Sequence, residues 1–342
     1  MANPAPTPAE TLKAQLSLPV IVAPMFLVSG PELVLASCRE GLIGSLPAAA
    51  QWTSHAFGET LEEITKGLEK QKAAGLTPAP YAVNLSLRKV TPRLEADIDL
   101  CVKYKVPVIL ASGEVTPEFA KKIHAYGGII LQDVANGAEA RHAIANGADG
   151  LIAVTAGAGG QGGTLNPLAL LGEIRQFFDG PIALAGCIST GQDIVAAQAM
   201  GADFALMGTR FVATAESNAD PAYKQMIVDV VASDIIYTTA ISGQPANFMR
   251  PSIEAAGFDA EKIRKEGTGA DKIKPPPGEE SKAWKTIWAA GQGAGNVHDV
   301  PSVATLGARL KQEYVDGKNA LLKKLGLAPA APKPQAPKGP QP

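Results

Sequence analysis

The densest chemical signal in the chain is residues 151–166, LIAVTAGAGGQGGTLN. A β-branched apolar run, which suits a buried strand, opens into Gly157, Gly159, Gly160, Gly162 and Gly163, crowded around one polar side chain, Gln161. Glycine at this density gives up packing and backbone entropy, so it belongs where backbone must lie close against something. Strand, glycine-rich loop and helix in succession can turn backbone N–H groups toward a flat or anionic ligand. Gln161 can donate and accept hydrogen bonds there but cannot take up a proton near neutral pH.

Two later stretches carry a related signal. LAGCISTGQD (184–193) places small residues, then Ser189 and Thr190, at the start of a helix, and MGTRF (207–211) offers Gly208 and Thr209 on a turn. If these loops are neighbours in a barrel, their N–H groups form a phosphate site; taken singly, the glycines only end strands. Asn84, inside the apolar YAVNLSL, must satisfy its amide, either by pinning a turn or by bonding a ligand. Gln132 poses the same choice, and Asp133 beside it can cap the helix that starts at Gly137. Cys187 has no histidine or lysine nearby in sequence to lower its pKa and reads as a small buried packing residue. His124 and His142 fall on outer helices, His55 reads as part of a helix cap, and His298 lies in a loop. No Ser-His-Asp set or metal-ligand cluster is discernible, which disfavours hydrolase and metalloenzyme chemistry.

The elements that must hold these residues recur with a steady rhythm. Strands are expected at 20–25, 42–48, 81–87, 106–112, 128–134, 150–156, 181–186 and 204–212, with amphipathic helices between them, such as 59–73 and 167–178. Continuous apolar runs suit parallel strands buried on both faces. Eight strands in βαβ order predict an α/β fold, a (β/α)8 TIM barrel with an inserted lid segment and C-terminal helices. The repeated phrases NGADG (146–150) and MGADF (200–204) each read as a helix-ending glycine turning into the next strand. A Rossmann fold is disfavoured, since the first strand is followed by PMFLVSG rather than GxGxxG. Barrel function sits at the carboxyl ends of the strands, which gathers Ala23, Pro24, Met25, Ser45, Asn84, Ser112, Gln132, the glycine loop, Gly186, Gly208 and Thr209.

The expected organisation is a disordered tail at 1–9, a barrel over 10–212 and 283–327, an insertion or lid at 213–282, and a disordered Pro/Ala-rich tail at 328–342. Helices are expected at 281–290 and 302–324, and Phe248, Met249 and Arg250 are weighed as side chains facing the site. A net charge of -2, with pI near 6.1, gives no electrostatic reason for a nucleic-acid or anionic-membrane partner. Three cysteines without CxxC spacing fit a reducing compartment, and with no leader or long apolar run legible, a cytoplasmic protein is expected.

The ordered set APM after strand 1, VNLS at strand 3, AGAGGQGG after strand 6, LAGCISTG, ALMGTRF and the late AAGQGAGNVHDVPSV (289–303) resembles the FMN-dependent nitronate monooxygenases, once called 2-nitropropane dioxygenases. The resemblance covers most of residues 18–325. It implies FMN as cofactor, with Ala23, Pro24 and Met25 lining the flavin ring and Asn84 and Gln132 on its polar edge or ribityl chain. Gly160 would abut the flavin. Gly186, Cys187, Ile188, Gly208 and Thr209 would hold the phosphate, and residues 290–292 would pack at the same end. Family members carry E-A-G-G-H-x-G, where this chain reads G-A-G-G-Q-G-G, with Gly157 for the acid and Gln161 for the histidine. Gln161 is therefore expected to orient substrate rather than act as a base. The implied reaction is oxidation of an alkyl nitronate with oxygen. Two alternatives stand beside it: an FMN-dependent NAD(P)H reductase of an enoyl thioester, quinone or other conjugated acceptor, and a flavin-binding protein with little catalysis. A small-molecule substrate is expected, and a homodimer is left open.

Overall fold

Strands form at all eight apolar runs, each trimmed to the few residues that a barrel can bury on both faces. A computed structural model describes residues 8–269, 271–272 and 285–327. Its strands are β1 (Val20–Val22), β2 (Ser45–Pro47), β3 (Ala82–Ser86), β4 (Val108–Ser112), β5 (Ile129–Val134), β6 (Gly150–Val154), β7 (Ile182–Ala185) and β8 (Phe204–Met207). All pair in parallel with their sequence neighbours, β1 pairs with β8, and Ile21 bridges Ile43 to close the circle. The fold is thus the expected (β/α)8 barrel.

Strand parity sorts the side chains. Ile21, Ala82, Val108, Leu110, Leu131, Ile152, Ala183 and Phe204 fill the barrel interior, while Val83, Ile109, Ile130 and Leu151 face outward under the helices. Adjacent strand residues point to opposite faces, so each strand serves two cores. The helices start on side-chain caps that the sequence supplies: Thr53, Thr91, Thr116, Asn136, Asn166 and Ser302 each accept from a first-turn N–H. Gly147 and Gly201 end their helices at φ of 99° and 101°, the left-handed geometry that the repeated GAD phrases imply.

Four expectations change. The last run, 204–212, is strand only to Met207; Gly208 turns the chain and Thr209–Val212 forms a short helix, because strand pairing with β1 and β7 ends there. A helix begins at Pro8, inside the expected tail, whose residues 1–7 lie outside the described residues, as does the tail at 328–342. Of the helix expected at 281–290, residues 281–284 are outside the description. The rest is a turn and extended chain, because Trp288 and Ala289 pair with the backbone of Met249 and Phe248 instead. The stretch 213–282 holds, where described, the helix Pro221–Asp229, an antiparallel hairpin of β9 (Ile235–Thr238) and β10 (Ala246–Met249), and helices Arg250–Ala255 and Ala260–Glu266. Phe248 and Met249 are fully buried in the cores around this hairpin, and Arg250 pairs with Asp234 and Glu254, so none of the three faces the cavity described next.

Candidate functional site

The carboxyl ends of the strands surround a cavity of about 570 Å³, a size typical of small-molecule and cofactor sites. Its floor is the top layer of the barrel, with Leu110, Ile152, Val154 and Leu206. Ala23, Pro24 and Met25 from the loop after β1 form one wall. The Met25 N–H donates to Ser29 Oγ at 3.0 Å, and that bond fixes the turn.

Opposite chain segments meet as backbone against backbone. The Gln292 N–H donates to Gly157 O at 2.9 Å, and the Gly291 N–H donates to Thr209 Oγ1 at 2.9 Å. A Cβ on Gly291 would stand 2.7 Å from Gly157 O and 2.9 Å from Gly159 N, and one on Gly159 would stand 2.8 Å from Gly291 N. Several of the loop glycines therefore serve protein–protein approach. Gly159, Gly160 and Gln161 line the cavity, with Gln161 exposed at its edge. From the hairpin, buried Asn247 clamps the loop. Its N–H donates to Gly160 O at 2.8 Å and its Nδ2 to Ala158 O at 2.7 Å.

The loops after β7 and β8 do come together. Gly186, Cys187, Ile188, Gly208 and Thr209 all line the cavity. Cys187 is not a buried packing residue: it is exposed, at φ 58°. Burial of its sulfur and the charge of Asp193 still push the thiol pKa up, against a backbone bond from Gly293. The helix Gly191–Ala199 behind this loop has its own capping box, in which Asp193 accepts from the N–H groups of Ser189 and Thr190. Among the described residues no lysine, arginine or histidine lines this cavity. An anionic group at this end would thus rest on backbone donors.

Polar side chains from β3, β4 and β5 make a strip on one wall. Asn84 donates through Nδ2 to Leu110 O at 2.9 Å and Ser112 Oγ at 3.0 Å. Asp133 follows, with Oδ1 accepting the Gly113 N–H at 3.1 Å. Asp133 does not cap the next helix; Asn136 does. Gln132 must be corrected. It is buried on the outer face of β5, where its Oε1 accepts the Val115 N–H at 3.0 Å, and it does not line the cavity. Its neighbour Asp133 takes the inward position, because alternate strand residues face opposite sides. Tyr223, unmarked in the sequence, also lines the cavity. Its hydroxyl donates to Ala289 O at 2.5 Å and its ring stacks on Trp288, 5.1 Å between centroids. None of the four histidines lines the cavity.

Known proteins match this arrangement. The nitronate monooxygenase family model matches residues 89–313, from ahead of β4 into the C-terminal helix Val303–Lys324. A nitronate monooxygenase of Paraburkholderia phytofirmans is 28% identical over 281 residues, covering 70% of this chain and 76% of that protein. A (3aS,4S,5R,7aS)-5-hydroxy-7a-methyl-1-oxo-octahydro-1H-indene-4-carboxyl-CoA dehydrogenase of Rhodococcus jostii is 28% identical over 227 residues, which is 66% of this chain. The chain spans 61% of the length of that relative. Among solved structures, FabK from Thermotoga maritima superposes with a TM-score of 0.75 at 24% identity, over 94% of this chain and 100% of the other. A nitroalkane oxidase from Streptomyces ansochromogenes gives 0.72 at 23%, over 91% and 99%. These two structural likenesses speak for the fold. The family model spans more than half of the chain, and the barrel it runs through carries its cavity where such enzymes work; the chain belongs to the nitronate monooxygenase family of flavin-dependent oxidoreductases.

Proposed function

We propose that the chain binds FMN in the cavity above β1–β8 and oxidises alkyl nitronates with oxygen. The observation that carries the proposal is the cavity's construction. It has an apolar floor and a wall of Ala23, Pro24 and Met25 suited to a flat ring, and a distal end of small residues at 186–188 and 208–209 suited to a phosphate. A Cβ on Gly208 would meet only Ala23 Cβ at 3.5 Å and Met25 Sδ at 3.8 Å, so the space in front of it is open to a ligand. Asn84 and Asp133 present polar atoms to the ring edge, in place of the expected pair Asn84 and Gln132. Gly159 and Gly160 let the loop approach the ring. When bound, FMN supplies the electron acceptance from substrate and the passage of electrons to oxygen that no side chain can perform.

The chain's own residues bind and orient. Gln161 stands at the cavity edge, where its amide N–H groups can hold the oxygens of an anionic nitro group. A nitronate arrives already deprotonated, so an orienting amide is sufficient for it. The stacked Tyr223 and Trp288 close the side toward the residues 289–293 segment and exclude water there.

The test is anaerobic flavin reduction assayed in parallel with propyl-2-nitronate, NADH and NADPH. Rapid bleaching by the nitronate is expected. Bleaching by NADH or NADPH with no reaction toward the nitronate would instead select a reductase, a second reading favoured by the similarity to the CoA dehydrogenase of Rhodococcus jostii. Bound flavin that reacts with none of them would leave a binding protein.

A further inference from the structure

A second, smaller cavity of about 260 Å³ adjoins the first, and three residues line both: Asp133, Val154 and Gln161. Arg88, Glu139, Gly162, Gly163, Tyr237 and Gln244 complete it. A substrate beside the cofactor has to pass or occupy this junction, where a carboxyl and an amide are the two polar side chains held in common.

We propose that Asp133 is the base of this site, taking the Cα proton of a neutral nitroalkane bound at the junction and so extending the substrate class from preformed nitronates to nitroalkanes. This rests on the proposed function above. In the step, the Cα–H bond breaks, the proton passes to a carboxylate oxygen of Asp133, and the electron pair moves into the nitro group. Carboxylate and neutral nitroalkane become carboxylic acid and nitronate anion, with charge conserved and no electron transferred. Gln161 then holds the anionic oxygens that form.

Elimination among the described residues leads to the same group. The main cavity is lined by three titratable side chains, Asp133, Cys187 and Tyr223. The Tyr223 proton is held on Ala289 O, and burial pushes its pKa far up. The Cys187 thiol is also pushed up. In the smaller cavity Glu139 is engaged as a helix cap, accepting from Ala135 N at 2.7 Å and Asn136 Nδ2 at 2.8 Å. The Tyr237 hydroxyl donates to Gly162 O at 3.0 Å, and Arg88 is a fixed cation. Asp133 alone is both a carboxylate and open to both cavities. Burial raises its pKa and Glu139 adds to this, while the Gly113 N–H, the Ser112 hydroxyl and Arg88 act the other way. The balance is upward, which makes the carboxylate a stronger base than a solvated one.

The experiment compares wild type, Asp133→Asn and Asp133→Glu, as flavin-loaded protein, on nitroethane and on ethyl nitronate prepared beforehand. The expected result is a fall of about 100-fold in the ratio of kcat/KM for nitroethane to that for the nitronate in Asp133→Asn, the scale of a lost general base. Partial recovery is expected in Asp133→Glu. Carbon-13 NMR of labelled aspartate carboxyls should show one resonance titrating above the ordinary range, absent from Asp133→Asn. A wild type active on the nitronate whose ratio Asp133→Asn leaves unmoved overturns the proposal alone, and so does a carboxyl that titrates normally. A wild type that oxidises neither compound overturns the functional reading and this proposal together.

Discussion

Position 161 holds an amide at the edge of a cavity in which Asp133 is the one charged side chain among the described lining residues. Placing a histidine there supplies a group that titrates near pH 6.5. Gln161→His is therefore expected to add an ascending limb near that pH to kcat/KM for a neutral nitroalkane, read from a pH–rate profile. An unchanged profile would mean that this side chain does not reach the substrate. Asp133 also carries a stability signature. Because its folded pKa is raised, the folded state favours the protonated form, and stability is lost as pH rises through the folded value. Asp133→Asn should thus raise Tm at pH 7–8 relative to wild type, with the gain vanishing below the ordinary carboxylate pKa. Loss of nitroalkane activity together with a gain in stability would mark a residue kept for chemistry rather than for packing.

At the scale of elements, the glycine loop is a joint between β6 and the residues 289–293 segment. Gly291 has an ordinary φ of -84°, so its requirement is steric and not conformational. A methyl there would press on the backbone of Gly157 and Gly159, neither of which can step aside. Gly291→Ala is expected to cost about 1–3 kcal/mol, as overpacking does, and to lower the flavin-to-protein ratio after purification. Gly172→Ala is the control: its Cβ would meet nothing within 4 Å, and it lies in the helix Pro167–Ile174. There the change should be neutral or stabilising by up to about 1 kcal/mol. Equal losses from both variants in thermal unfolding would sink the steric account.

Across the whole molecule, the barrel is fastened at its amino end as well. Asp203, just ahead of β8, accepts from Lys13 Nζ at 2.7 Å, Arg175 Nη2 at 2.7 Å and the Ile182 N–H at 2.9 Å. It ties the N-terminal helix Pro8–Lys13 to the loops on either side of β7. Burial works to raise its pKa, but these three donors together hold it below the model value of 3.8. A depressed carboxylate stabilises above its unfolded pKa, and that stability is lost as pH falls through the folded value. Asp203→Asn is expected to cost about 1–3 kcal/mol at pH 7, between the worth of exposed and buried pairs. The gap from wild type should close below about pH 3.8, as denaturant melts at a series of pH values would show.

The amino-acid order by itself determined the eight strands, their parallel sense, the barrel, the helix caps and the loops that meet at the carboxyl end, because apolar runs, cap residues and helix-ending glycines act locally. Only the tertiary structure decided which of Gln132 and Asp133 faces inward. A strand buried on both faces has no polar–apolar alternation from which parity can be read, and a one-residue shift exchanges the two sides. Tertiary contact also decided that Trp288 and Ala289 pair with the hairpin rather than extend a helix, that Cys187 is exposed, and that Asn247 clamps the glycine loop. Asn247 and the loop stand 89 residues apart, and no local pattern encodes a partner at that distance. The same holds for the glycines at 157–163: their density was legible, but whether each gives way to ligand or to protein depends on what the fold brings against it.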